Sequence, residues 1–513
     1  MSAETRILLL LVLPLLTSGL IVLFGRRPNL REAVHLSLGS VVFGIAASLA
    51  GPVFHGLRPE LQLGELVPGF AISFRFEPLG MLFALVASGL WVVTTAYAMG
   101  YMRAHHEANQ TRFFACFPIA ICAALGAAGA ANLLTLFLFY ELMTLSTFPL
   151  VTHHGDEAAQ QGGRTYLTYL LGSSIMFFLL AIAWTWQVSG RLDFVAGGIL
   201  SSAFHEGRIS RGGVTLLVGL YAYGVGKAAL MPLHRWLPAA MVAPTPVSAL
   251  LHAVAVVKVG VFTILKIMIY TFGASLLNET GASLWLMYVA GASVLLASWV
   301  AMHQDNLKAR LAYSTVSQLA YITLGAALAT PAAWVGAAMH IAMHAVGKIT
   351  LFFCAGAIYV ATHRTQVSQL RGLGRQMPWT MAAFLLGSLS IIGVPPCGGL
   401  WSKWMLATGA VEAHQYPLMA VLMISSLLNI AYLLPIPIAA FFAAPEDAAD
   451  SHGHASHDSV HQDAQQHGEQ HGGEAPLLCV VPPCLTAIGG VLLFFLADKL
   501  FHVLSNLPDV ISN

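Results

Sequence analysis

Gly224-Val225-Gly226-Lys227-Ala228-Ala229-Leu230-Met231-Pro232 sets a lysine, two glycines and a proline inside an otherwise apolar stretch, 213–233. A helix needs about 20 apolar residues to cross the hydrocarbon of a bilayer. Proline removes a backbone donor and clashes with the preceding turn. Unwound backbone at membrane depth is tolerated only where it faces protein or a cavity. The stretch therefore reads as a transmembrane helix that breaks beside a buried amine. A second stretch, 379–410, repeats the device: Gly393-Val394-Pro395-Pro396-Cys397-Gly398-Gly399 precedes Lys403.

The rest of the chain fits this reading. Of its 513 residues, 57% are hydrophobic and 9% charged, against about 25% charged in a soluble domain. The net charge is +1, so no basic footprint for nucleic acid exists. The six cysteines lie mostly in apolar stretches and form no C-x-x-C pair. Composition excludes a soluble enzyme, a secreted disulfide scaffold and a nucleic-acid binder. It leaves an all-α integral membrane protein.

Fourteen candidate spans lie near 7–24, 33–54, 79–101, 113–130, 132–152, 165–188, 213–233, 245–272, 282–303, 311–330, 332–361, 379–410, 417–442 and 476–497. The first reads as an uncleaved span, because its basic cluster follows the apolar run instead of preceding it. Loops after odd-numbered spans hold twelve Lys and Arg, and the opposite side holds seven. The positive-inside rule then puts the odd loops in the cytoplasm and both termini on the outer, periplasmic side of a cell inner membrane. Residues 446–475 hold His452, His454, His457, His461, His467 and His471 among acids, with no Lys or Arg. They read as a solvated low-complexity linker with incidental histidines.

The basic residues divide sharply. All seventeen arginines fall in loops or termini, whereas five of the seven lysines, Lys227, Lys258, Lys266, Lys348 and Lys403, fall within spans. Arginine stays protonated, whereas a desolvated lysine can lose its proton. An ion at the bilayer centre costs roughly 3 kcal/mol or more. Five lysines at that cost read as a proton-loading set, although Lys266 lies near enough to a span end to snorkel. Glu141 is the one equally deep carboxylate, and Lys227 is its candidate partner. His340, His344 and Lys348 recur every fourth residue and so share one helix face, about 6 Å apart along it. Imidazoles titrate near neutral pH, and this stripe reads as a proton relay that His252 and Lys258 extend.

Lys227 lies in the seventh span and Lys403 in the twelfth. Five spans is an odd number, so repeats of that length are inverted. Interrupted segments in corresponding places of two halves point to the ion site of an inverted-repeat transporter.

The run Gly226 to Pro238, then Ala243-Pro244-Thr245-Pro246-Val247-Ser248-Ala249-Leu250-Leu251-His252 and Leu307-Lys308-Ala309-Arg310-Leu311-Ala312-Tyr313-Ser314-Thr315-Val316-Ser317-Gln318, resembles the antiporter-like membrane subunits. That family serves respiratory complex I, energy-converting hydrogenases and Mrp-type cation/proton antiporters. His252-Ala253-Val254-Ala255-Val256-Val257-Lys258-Val259-Gly260-Val261-Phe262 is most similar to the D-type Mrp subunit. The resemblance implies two inverted five-helix bundles with discontinuous helices 7 and 12. Residues 1–112 would form helices 1–3, 113–272 the first bundle, 273–442 the second, 443–475 the linker and 476–513 helix 14. It implies that Glu141 and Lys227 form a coupling pair, that Lys258 is a central relay group and Lys403 the terminal one, and that His340, His344 and Lys348 connect the bundles. The expected activity is proton translocation within a multisubunit Na⁺/H⁺ antiporter, with other membrane subunits as partners, H⁺ and a monovalent cation as substrates, and no cofactor. The alternatives are a subunit of a redox-driven pump, whose electron transfer would belong to its partners, and a stand-alone solute carrier.

Overall fold

Prolines start many of the helices and side-chain caps start others. The computed structural model describes residues 1–67, 70–444, 473–505 and 507. Pro28, Pro78, Pro331 and Pro378 each stand in the first turn of a helix, where the missing N–H costs nothing. Asn132, Asp156, Ser210, Asn306 and Thr330 accept from backbone amides three residues on and so satisfy donors that the helix start leaves orphaned.

In chain order the long elements are α1 (Ala3–Leu23), α2 (Pro28–Phe54), β1 (Glu60–Val67), β2 (Phe70–Arg75), α3 (Pro78–Ala104), α4 (Gln110–Gly129), α5 (Leu133–Val151) and α6 (Glu157–Ser189). The interrupted α7 (Arg211–Gly224) follows, then α8 (Thr245–Phe272), α9 (Leu284–Met302), α10 (Leu307–Leu328) and α11 (Pro331–Thr362). The chain closes with the half-helices α12 (Pro378–Ile392) and α13 (Gly399–Glu412), then α14 (Tyr416–Phe442) and α15 (Leu477–Phe495).

Twelve helices among the described residues are long and apolar enough to cross a membrane. The sequence reading counted fourteen by including the two interrupted spans. Those two are absent from the twelve because each is cut short by its break. α7 stops at Gly224, a single 3₁₀ turn carries Lys227 (Gly226–Ala228), and a turn leads to Trp236. α12 stops at Gly393, whose φ of 88° only glycine adopts without strain, and α13 resumes six residues later.

The sequence reading contained no strand. β1 and β2 form an antiparallel hairpin between α2 and α3, paired from Glu60↔Arg75 to Val67↔Phe70. Alternation in Phe70-Ala71-Ile72-Ser73-Phe74 carried that signal. The linker 446–475 lies outside the described residues up to position 472. Glu474 at its end is ordered: its carboxylate accepts from the Trp379 and Thr380 amides at 2.6 and 3.2 Å and from the Thr380 hydroxyl at 2.6 Å, capping α12.

Burial locates the centre. α8 is buried along its whole most apolar window and α10 and α11 to 94%, whereas α1 and α2 are buried to 33%. Two of these enclosed helices, α8 and α11, carry Lys258, Lys266, His340, His344 and Lys348.

Candidate functional site

The break in the seventh span frees Lys227 from helical packing and drops its amine against α5. Nζ donates to the Tyr140 carbonyl at 2.8 Å and to Thr144 Oγ1 at 2.6 Å, and it lies 3.2 Å from the centroid of the Tyr140 ring. The backbone is held too: the Lys227 amide donates to Tyr140 Oη at 3.1 Å, and Trp236 Nε1 donates to the Gly226 carbonyl at 3.0 Å. α8 passes against this turn at Gly260, where a Cβ would run into the Lys227 carbonyl carbon and the Ala228 nitrogen.

The expected contact between Glu141 and Lys227 is not made. No ion pair joins them, and both Glu141 carboxylate oxygens are buried without a hydrogen-bond partner among the described residues. One residue along an α-helix is a rotation of about 100°. Tyr140 and Thr144 therefore take the amine, while Glu141, their neighbour, makes no hydrogen bond to it.

Lys258 sits on α8 with its Nζ hydrogen-bonded to His344 Nδ1 of α11. From there the titratable groups continue in contact. The His344 and His340 rings stack at 5.7 Å, and His340 stacks on Tyr321 of α10 at 5.7 Å. His340 also bonds Ser402 Oγ at 2.9 Å and Gln318 Oε1 at 3.1 Å. Lys403, next to Ser402, places Nζ 5.0 Å from the Tyr321 centroid and donates to Ile392 O at 3.1 Å and Ser426 Oγ at 3.4 Å. This is one contiguous polar line from α8 to α13.

Two expected members lie beside that line. Lys348 donates to Ser314 Oγ at 2.6 Å and Leu311 O at 3.3 Å, and Tyr432 Oη donates to the same serine at 2.9 Å. His252 is fully buried, and neither of its ring nitrogens has a partner among the described residues; its ring lies 4.8 Å from Phe352. Sequence reasoning missed Tyr140, Thr144, Tyr321, Gln318 and Ser402. Ser314, Gln318 and Tyr321 stand at helical spacing in an apolar run, the same signal that found the histidines of α11.

At the end of the molecule that carries residues 105–112, a cavity of about 250 Å³ opens, lined in part by Tyr101, His154, Lys308 and Tyr359. Glu107 lies 3.5 Å from His154 and 3.9 Å from His153. The Glu107 contact holds the His154 imidazole above its ordinary pKa, and His154 in turn holds the Glu107 carboxyl below its own. Among the described residues no cluster of His, Cys, Asp and Glu is arranged to hold a metal ion.

Broken helices around buried amines, joined by imidazoles across the centre, define a class: a multi-pass helical membrane protein built to move ions. The family described as NADH:quinone oxidoreductase/Mrp antiporter, TM, matches residues 130–429. The chain belongs to that family. It is 31% identical to NADH-quinone oxidoreductase subunit N of Desulforudis audaxviator, over 84% of this chain and 85% of that one. It is 34% identical to a probable K(+)/H(+) antiporter subunit of Rhizobium meliloti, over 72% of this chain but only 37% of that relative. Its fold superposes on a chain of the Mrp complex from Dietzia sp. with a TM-score of 0.83 at 22% identity, covering 100% of this chain and 98% of that one.

Proposed function

We propose that this chain is the proton-translocating subunit of a multisubunit Mrp-type antiporter, exchanging protons for a monovalent cation, Na⁺ in the first instance. The single observation behind the reading is the unbroken buried line Lys258–His344–His340–Tyr321–Lys403. Its members touch through titratable and polar groups, and the broken helix at Lys227 stands on its flank. The family membership and the antiporter named among the relatives support it. In this reading residues 113–272 and 273–442 are inverted repeats, both termini face outward across a cell inner membrane, and other membrane subunits complete the complex.

The step is electrostatic. Lys227 holds a proton while a counter-charge is near. Glu141 is that counter-charge: its carboxylate, unpartnered one residue from Tyr140, is free to turn toward the amine or toward a neighbouring subunit. An ammonium left alone in hydrocarbon costs roughly 3 kcal/mol or more. That is comparable to the roughly 2.3 kcal/mol needed to move one charge against 100 mV. Moving the carboxylate is therefore enough to drive the proton toward Lys258 and along the histidines.

The test is cation-driven proton exchange in everted vesicles of an antiporter-deficient host expressing the whole complex. Lys227→Ala and Glu141→Ala are expected to abolish exchange while the complex assembles; normal exchange by either refutes the coupling pair. A second reading, a subunit of a redox-driven pump, is favoured by the near full-length match to the quinone oxidoreductase subunit. Co-purification of iron–sulfur subunits with this chain, in place of small membrane subunits, would favour it.

A further inference from the structure

Lys266 is a buried lysine to which the proposed proton path assigns no role. It sits on α8 eight residues beyond Lys258, about 12 Å further along the axis. The sequence allowed it to snorkel to an interface. Instead its amine is fully buried, donates to the Ala130 carbonyl at 2.8 Å, and lies 3.7 Å from Glu77 Oε2 and 4.8 Å from the Phe194 ring. Glu77 immediately precedes α3 and is 4% exposed. Its other oxygen, Oε1, lies 3.6 Å from Arg75 Nη2 at the end of β2. Arg75 is partly exposed and donates to the Phe194 carbonyl at 2.5 Å.

One carboxylate thus stands between two cations and is clamped by neither, since both separations exceed hydrogen-bonding distance and Glu77 Oε2 has no hydrogen-bond partner among the described residues. The two cations differ in kind. Arginine does not release its proton, whereas lysine does. The lysine is on the relay helix, and the arginine reaches the hairpin surface. Thr263 Oγ1, between the two lysines, and Thr271 Oγ1, beyond them, are buried with no partner among the described residues. The two hydroxyls flank Lys266 in sequence as further polar groups of α8. Pinning the hairpin needs only the Arg75–Glu77 pair; a second, buried cation on the same carboxylate is surplus to that role.

We infer that Glu77 and Lys266 form a proton-release pair at the hairpin end of the molecule, with Glu77 passing between Lys266 and Arg75. The inference rests on the proton-translocation reading. A hydronium beside neutral Lys266 loses one O–H bond as the amine gains one N–H bond, leaving water, and Glu77 holds the ammonium. When Glu77 turns to Arg75, the ammonium loses its counter-ion and gives the proton to water at the hairpin face. One N–H bond breaks, one O–H bond of hydronium forms, and nothing else changes. The charged and titratable groups facing the pair are Arg75 and Arg58 from the hairpin side and Tyr270 from α8 itself.

The test uses the assembled complex in vesicles. Lys266→Arg keeps a cation beside Glu77 but removes a releasable proton. Exchange is expected to fall by about tenfold or more, the scale of a lost proton-transfer group, with the complex intact. Wild-type exchange by Lys266→Arg overturns the inference. Lys227→Ala in the same vesicles separates the two levels: if it too keeps exchange, the proposed function itself fails, and if it loses exchange while Lys266→Arg does not, only the release pair fails. Should Lys266→Arg not assemble, Glu77→Gln decides the matter, since it keeps volume and acceptor but removes the charge. It is expected to shift the half-maximal pH of exchange at the hairpin face by about one unit or more, the effect of deleting a close counter-ion. An unchanged pH profile overturns the pair.

Discussion

The two broken helices hold their lysines differently. Lys227, at the first break, is fully buried, donates two hydrogen bonds of 2.6 and 2.8 Å, and presses on a tyrosine ring at 3.2 Å. Lys403, at the second, is 8% exposed, makes contacts of 3.1 and 3.4 Å, and stands 5.0 Å from its tyrosine. The same device, an amine at a helix break above a ring of the helix two spans earlier, is built tight in one place and loose in the other. Only the tight one has a carboxylate, Glu141, within one residue of its tyrosine. In the proposed function the first break holds a proton, and the second shares one with imidazoles.

The sharpest way to break this comparison is Lys258→Met, which removes the link between the bundles. Exchange is expected to fall by about a hundredfold; a rate above half of wild type would mean that the bundles run independently. Next, the two breaks should tolerate a sign change unequally. Lys403→Glu is expected to keep about a tenth of exchange, because a titratable group remains in a loose site, whereas Lys227→Glu keeps none. Equal losses would erase the distinction between holding and sharing.

Smaller effects probe packing and surface charge. Gly260→Ala is expected to lower the stability of the chain by about 1–3 kcal/mol through overpacking against the Lys227 turn, read as a lower thermal midpoint of the purified complex. Gly172→Ala, with open space around it, is the neutral control. At the loop face, Glu107 lies against His154, whereas Asp305 accepts from Ser368 at 3.0 and 2.8 Å. A raised histidine stabilises below its ordinary value near 6.5 and ceases to do so as pH rises through its folded value. A depressed carboxyl stabilises above its ordinary value near 4.5 and ceases to do so as pH falls through its folded value. The pair therefore contributes fully between those ordinary values. His154→Ala is expected to cost less than about 1 kcal/mol near pH 6, since the imidazole is partly exposed and screened, and nothing near pH 9. A difference in thermal midpoint that persists at pH 9 would contradict this.

Much of this was legible before any coordinates. Lone lysines in apolar windows, the four-residue spacing of His340, His344 and Lys348, and the glycine–proline breaks are local patterns, and each located its element. Azimuth across the bundle is not local, so Tyr140 and Thr144, which hold the Lys227 amine, were not read beside Glu141. Glu77 was overlooked because it stands at a span end, where a carboxylate is ordinary, and only the fold sets Lys266 beneath it. The hairpin was missed because its alternation is short beside the helical runs around it.

α8 contains a π turn, Leu250–Val254, closed by the Ala255 amide on the Leu250 carbonyl at 2.9 Å. Such a turn is one surplus residue in an otherwise regular screw. Excising a single residue there would restore the regular screw and rotate everything downstream by about 100°. Lys258 would swing from His344 and Lys266 from Glu77 in the same motion. The phasing of both amines thus hangs on one extra residue upstream of them, and a frame-preserving deletion at that point would move both together with no charged group altered.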